Sequence, residues 1–178
     1  DPNGYTQRFE GMRKGARYTG TVRPSFGTLV FGAEYTEEKA RLDSDKSRSD
    51  TASLFGEAQF GLSDNLDLTT SLRVDHHSEF GTEPTGRIAL AWRPDQAWTI
   101  RSAIATGFRA PSLYELFDPT YGNDTLKPEK SRSFELGAER EFFGGGSISA
   151  TLFYTRISDL IDWDSGRYIQ VPGTTTTR

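Results

Sequence analysis

The sequence predicts an all-β chain, an antiparallel meander of the kind that closes into transmembrane β-barrels. Apolar and polar residues alternate with period two along successive segments, and tight turns alternate with long polar stretches. Aromatic residues are abundant, with 12 Phe, 7 Tyr and 3 Trp among 178 residues. Aromatic and β-branched residues favour strands, and alternation gives each strand one oily and one polar face. Other classes are excluded on composition. A formal net charge of −4 lacks the basic face that a nucleic-acid binder needs. The longest purely apolar run, Ile88 to Trp92, is far short of the roughly 20 residues of a membrane helix. The absence of cysteine removes disulfides and thiolate zinc sites.

A first strand is expected near Arg17 to Val22. Next, Leu29, Phe31, Ala33 and Tyr35 oppose Thr28, Gly32, Glu34 and Thr36. Leu54, Ala58, Phe60 and Leu62 then oppose Glu57, Gln59 and Gly61. Leu66, Leu68, Thr70, Leu72 and Val74 oppose Asp67, Thr69, Ser71, Arg73 and Asp75. Ile88, Leu90 and Trp92 oppose Arg87, Ala89, Ala91 and Arg93, and Trp98, Ile100, Ile104 and Phe108 oppose Thr99, Arg101, Ala103 and Gly107. Phe134, Leu136 and Ala138 oppose Glu135, Gly137 and Glu139, and Ile148, Ala150, Leu152 and Tyr154 oppose Ser147, Ser149 and Thr151. The total is about eight strands.

Short connections fall at Ser63-Asp64-Asn65, Pro94-Asp95-Gln96-Ala97 and Phe143-Gly144-Gly145-Gly146, all with hairpin-turn chemistry. Long polar loops are expected over Leu42 to Asp50, Ser78 to Gly86 and Arg109 to Arg132. Such alternation matches an outer-membrane barrel, with turns facing the periplasm and loops facing outside. Phe60, Trp92, Trp98, Phe142 and Phe143 crowd the turn ends, where an interfacial girdle sits. The apolar face is free of charge over its middle, with Arg140 and Arg156 as exceptions near strand ends. A soluble antiparallel sandwich would also alternate; dense Arg, Glu and Asp on the other parity favour an enclosed polar lumen instead.

Around the longest loop the sequence becomes specific. Gly107-Phe108-Arg109-Ala110-Pro111-Ser112-Leu113-Tyr114-Glu115-Leu116-Phe117 is followed by Tyr121-Gly122-Asn123 and by Leu126-Lys127-Pro128-Glu129-Lys130-Ser131-Arg132-Ser133-Phe134-Glu135-Leu136-Gly137. These paired motifs resemble the barrel of TonB-dependent outer-membrane receptors, with the resemblance strongest from about Leu54 to Ile161. On local physics, Pro111 ends the ladder because proline lacks an N–H. The segment Pro111 to Phe117 is then expected to make one helical turn, with Leu113, Leu116 and Phe117 as a small loop core. Lys127-Pro128-Glu129 restarts an extended path. Gly107, Phe108, Arg109, Pro111, Leu126, Lys127, Pro128 and Glu129 are therefore expected to shape and anchor an outer loop. Residues shared by receptors of unlike substrates should not choose among substrates.

The resemblance implies a transport receptor of the bacterial outer membrane rather than an enzyme. It implies a barrel of about 22 strands around a plug, with the plug contacting the TonB energy-coupling protein. It further implies uptake of a metal chelate (ferric siderophore, cobalamin or haem), in contact with outer-membrane lipid and lipopolysaccharide. No plug-like region or coupling box is recognisable, so residues 1–178 are expected to be an internal barrel segment. Alternatives are a passive porin or small structural barrel, and a soluble all-β binding module. Tyr114, Phe117 and Tyr121 are the residues most suited to touch a large, partly aromatic ligand. No cofactor is expected, and no nucleophile elbow or phosphate loop occurs. His76 and His77 are adjacent and point to opposite faces of a strand, so no shared metal is expected there. Asp43, Asp45 and Asp50, and Asp159, Asp162 and Asp164, are read as solvated loop charge rather than calcium ligands.

Overall fold

The computed structural model describes residues 9–42 and 45–177. Strands β1 (Phe9–Val22), β2 (Gly27–Leu42), β3 (Asp45–Ser63), β4 (Leu66–His77), β5 (Gly81–Trp92), β6 (Trp98–Arg109), β7 (Glu129–Phe142) and β8 (Gly146–Ser158) pair in sequence order, each antiparallel to the next. Helix α1 (Leu113–Phe117) lies between β6 and β7. Strands β9 (Leu160–Asp164) and β10 (Arg167–Val171) form a separate hairpin, and β11 (Thr174–Thr177) adds to β8 as a ninth strand of the main sheet.

Strand length fits a bilayer. A 12-residue strand such as β4, β5 or β6 is about 40 Å long, and a tilt near 40° makes it about 30 Å tall, enough to cross an apolar band of about 25 Å. The faces agree. Leu72, Ile104 and Leu152 are 60%, 53% and 66% exposed, and no second layer covers them among the described residues. The buried hydrophobic residues are Ala40, Leu113, Leu116, Leu126 and Ile161, all at the loop end. Among the described residues the oily face is bare and the dry core lies above one end, the layout expected of a sheet that meets lipid. Small turns close the other end, where Gly144 and Gly145 take φ of +106° and +92°, a region open to glycine at no steric cost. Beside them stand Trp92, Trp98 and Phe142 of the expected girdle, with the Arg140 guanidinium 5.5 Å from the Trp98 ring and 5.3 Å from that of Phe142. Cation–π contact of this kind settles an outward arginine at an interface.

Three expectations are corrected. The first strand starts at Phe9, eight residues ahead of Arg17. The stretch Leu42 to Asp50 is largely strand, because β2 and β3 run on as a polar hairpin of 16 and 19 residues. There the outward parity turns from oily to charged, and the charges pair: Lys39 with Glu37 at 2.8 Å, and Arg48 with Glu37 at 2.8 Å and with Asp50 at 2.9 Å. Two-sided polarity marks strand standing in water, which looks like loop in a sequence. For the same reason Ser78 to Gly86 is mostly β5, leaving only residues 78–80 as a connection.

The inward parity forms a paired polar wall. Arg73 bridges Glu34 (3.1 Å) and Asp75 (2.9 Å), and Ser53 donates to Asp75 at 2.6 Å. Arg101 pairs with Glu139 at 2.8 Å, and Arg93 pairs with Asp67. Arg17 and Arg73 flank the Phe55 ring, 4.6 and 5.8 Å from its centroid. That ring lies over Gly32, where a Cβ would collide with it.

Candidate functional site: an anchored loop over the polar wall

Pro111 ends the β6 ladder, and a capping box starts α1. Ser112 N donates to Glu115 Oε2 at 2.7 Å, and Glu115 N donates to Ser112 Oγ at 3.2 Å. These reciprocal bonds satisfy two of the orphan N–H groups of the helix start. Arg109 and Glu129 are register partners across β6 and β7, which is why the two sequence motifs belong together. The guanidinium grips Glu129 with two parallel bonds of 2.8 Å and reaches Glu115 at 3.1 and 3.2 Å. Glu129 Oε1 also accepts from Ile161 N at 2.8 Å. One arginine thus ties the strand end, the helix cap and the β9–β10 hairpin. The bonded guanidinium holds the Glu129 carboxyl below the usual range, and the two carboxylates hold Arg109 firmly protonated.

The loop behind this clamp is ordered by its own polar groups. Asp118 Oδ1 accepts from Thr120 N (2.9 Å) and Tyr121 N (2.7 Å), and Asn123 Nδ2 donates to Tyr168 O at 2.9 Å. Gln170 exchanges bonds with the Lys127 backbone at 2.9 and 2.8 Å. Leu116, Leu126 and Ile161 form a core with Phe80 and Tyr168, while Leu113 packs on Ala40 of β2. Ala40 shares the parity of Glu34, so the loop leans over the polar face of the wall.

The expected anchors Arg109, Pro111, Leu126, Lys127 and Glu129 all sit in this assembly; Pro111 and Leu126 are buried. Gly107 and Phe108 lie on the β6 rungs just below, opposite Ser131 and Lys130. Pro128 connects Lys127 to the start of β7. Phe117 is corrected: it leaves the loop core and is 38% exposed, as the last residue of α1, after which the chain turns extended at Asp118. Tyr114 meets Tyr168 edge-on at 6.2 Å, and burial raises its hydroxyl pKa. Tyr121 meets Trp163 at 5.2 Å, and Trp163 meets Tyr168 at 5.1 Å. The sequence reading missed Trp163 and Tyr168; the Ser165-Gly166 turn between two short aliphatic-aromatic runs was the available signal.

His76 bonds Thr82 Oγ1 at 2.8 Å, whereas His77 is buried against Phe80, ring centroids 5.1 Å apart. Among the described residues no three His, Asp or Glu side chains converge as metal ligands would. Asp43 lies outside the described residues.

A family model described as TonB dependent receptor-like, beta-barrel, matches residues 1–178. The vitamin B12 transporter BtuB of Vibrio vulnificus is 31% identical over 142 residues, covering 76% of this chain and 23% of that protein. The iron-regulated outer membrane virulence protein of Vibrio cholerae is 33% identical over 116 residues, covering 60% of this chain and 18% of that one. Among solved structures, the siderophore receptor PirA from Pseudomonas aeruginosa superposes with a TM-score of 0.83 at 25% identity, covering 96% of this chain and 36% of its own. The chain thus spans about a fifth to a third of the relatives it matches. It belongs to the TonB-dependent receptor family, as a stretch of that family's β-barrel.

Proposed function

We propose that residues 1–178 supply part of the wall and outer mouth of an outer-membrane receptor. In our reading the full receptor takes up a metal chelate, a ferric siderophore or cobalamin or haem, with energy delivered by TonB through a plug within the barrel. The observation that carries this is the loop assembly clamped by Arg109 above a continuous polar wall, a layout suited to catching a solute outside and passing it inward. Similarity to a vitamin B12 transporter and to a siderophore receptor supports the substrate class. Ligand contacts fall to the half-exposed aromatic groups of the mouth, Tyr121 and Phe117, to which we add Trp163; Tyr114 contributes by holding Tyr168. The signature residues serve as anchors. Transport, with no chemical step, is the role.

The test is uptake of radiolabelled cobalamin and of several ferric chelates by cells carrying the full-length receptor as their sole route, with and without TonB. One substrate should accumulate only when TonB is present. Accumulation indifferent to TonB would point to a passive pore instead.

A further inference from the structure

The β5–β6 ladder is incomplete. Its register runs from Trp92 with Ile100 up to Arg87 with Ala105 and stops there. By contrast, β5 stays paired with β4 up to Gly81, and β6 with β7 up to Arg109. The cause is local. Continued upward, the register would set Gly86 against Thr106 and Pro84 against Phe108. Gly86 N instead donates to Thr106 Oγ1 at 3.0 Å, and proline has no N–H to give to the Phe108 carbonyl. Alternate residues of an antiparallel strand turn their N–H groups to alternate neighbours. Gly86 N turns to β6, so on β6 Thr106 and Phe108 turn to β5, and the Phe108 N–H is left without a ladder partner.

The gap passes through the wall. Glu83 has the inward parity of Asp75, its register partner, and Lys130 has the outward parity of Phe134. Yet Lys130 Nζ bonds Glu83 Oε1 at 2.6 Å. In a continuous sheet the backbone layer holds residues of opposite parity apart, so this pair meets through an opening. A crevice of about 450 Å³ occupies it, lined from the inward side by Glu83 and Ser131 and from the outward side by Arg132 and Arg156. Among the described residues neither arginine makes a hydrogen bond or ion pair. Pro84 stands eight residues from Trp92, about 20 Å up at a tilt near 40°. The seam therefore opens near the top of an apolar band of about 25 Å, where unpaired backbone groups are tolerated only if water reaches them.

We propose that the β5–β6 seam is a side window of the barrel, through which water and small anionic or neutral solutes pass between the outer surface and the lumen below the anchored loop. The Glu83–Lys130 pair is its bolt. It spans the opening and, being neutral as a pair, leaves Arg132 and Arg156 as the net charge at the outer end. A cleft lined by one sign of charge concentrates the opposite ion, so the window favours anions over cations. Such a window lets water and counter-ions redistribute while a solute occupies the mouth. It requires only that the sheet be barrel wall, and it is independent of which chelate the receptor carries.

The experiment reads the modification rate of a single cysteine, Ser133→Cys, in the full-length receptor on whole cells, in a background free of other accessible thiols. Ser133 faces inward beside Ala105, at the last β5–β6 rung. The probes are sulfonatoethyl and trimethylammonioethyl methanethiosulfonate, one anionic and one cationic. The anionic probe should react at least fivefold faster, and Arg132→Glu/Arg156→Glu should reverse that order. Pro84→Val/Thr106→Val, which restores the missing N–H and frees Gly86 N for the ladder, should slow both probes at least tenfold. Lys130→Ala, which leaves every ladder bond in place, should quicken both at least threefold. In the unaltered receptor the Phe108 amide should exchange hydrogen at least tenfold faster than that of Ile104. Entry through the mouth alone makes the rates indifferent to the seam, to Lys130 and to the two arginines, and that result overturns the proposal. So does a Ser133→Cys thiol that neither probe reaches, or a Phe108 amide as protected as that of Ile104.

Discussion

Replacing Arg109 by alanine removes four charge-assisted contacts in one step, two to Glu129 at 2.8 Å and two to Glu115 at 3.1 and 3.2 Å. Bonds of this type are worth about 1.5–3 kcal/mol each when shielded. The arginine side chain is 45% exposed, so water competes and the value per contact drops toward that of exposed pairs, about 0–1 kcal/mol. The carboxylates are the more sheltered partners, at 13% for Glu129 and 14% for Glu115, and they lose their cation. About 2 kcal/mol of local stability should disappear, equivalent to about 30-fold more frequent opening of the loop. Hydrogen exchange on the full-length receptor measures this directly. Amides of residues 113–126 and of Ile161 should exchange faster, while those of β3 and β4 stay protected. Glu129→Gln can keep an acceptor for Ile161 N but removes the charge, so it separates the ion pair from the backbone bond. The pH arm has a definite sign. The folded pKa of Glu129 lies below its ordinary 4.5, so its contribution is complete above pH 4.5 and is lost as pH falls through the folded value. Unchanged exchange in Arg109→Ala, or faster exchange spread evenly over the sheet, would refute the clamp.

An arginine placed at Leu72 or Ile104, both bare on the outward face, should cost about 2–4 kcal/mol in reversible unfolding from bilayers; the same change at inward Ala103 should cost much less. Gly32→Val should lower folding yield, read as the unshifted band on unheated gels, because a Cβ there meets both the Phe55 ring and the Tyr18 carbonyl oxygen; Phe55→Ala should not restore the yield, since the backbone contact remains. Burial holds the His77 pKa below its ordinary 6.5, outweighing the charges of Glu79, Glu38 and Asp50. The neutral ring accepts from Glu79 N at 3.1 Å, so order in residues 78–80 should be complete above pH 6.5 and fall as pH drops through the folded value. Corrected exchange rates at Glu79 and Phe80, compared at pH 7.5 and 5.5, check this, and they should lose their pH dependence in His77→Phe.

What was legible in the sequence is what local chemistry decides. Parity assigned the two faces correctly from Leu29 to Tyr154, because a strand has no choice about alternation. Pro111 marks the break and suits a helix start, so the helical turn could be placed; the Ser112–Glu115 capping box, three residues apart, was a further signal left unread. The polar hairpin at the top of β2 and β3 was illegible because its outward charges are satisfied by one another, a fact of pairing that no single segment displays. Arg132 went unnoticed for a different reason. It stands inside a family motif, and counting back from Phe134 by two would have put it on the oily face. Trp163 and Tyr168 were missed because strands of five residues carry little periodicity of their own.

The clamp gives a way for a joint to stay fixed while the loops beyond it differ. Strands within the bilayer are fixed by their ladders, and loops above it are free to differ, so the joint between them must hold position without dictating loop content. Arg109 and Glu129 form the last paired rung of β6 and β7, and from that rung hydrogen bonds run to α1 through Glu115 and to β9 through Ile161. A second attachment, Leu113 on Ala40, holds the far side of the loop to β2. With both sides held and Leu116, Leu126 and Ile161 sharing one core, the assembly moves as a unit or stays still. The exposed edges of Tyr121 and Trp163 lie outside those attachments. Substitutions there should alter the surface of the mouth without loosening what is anchored.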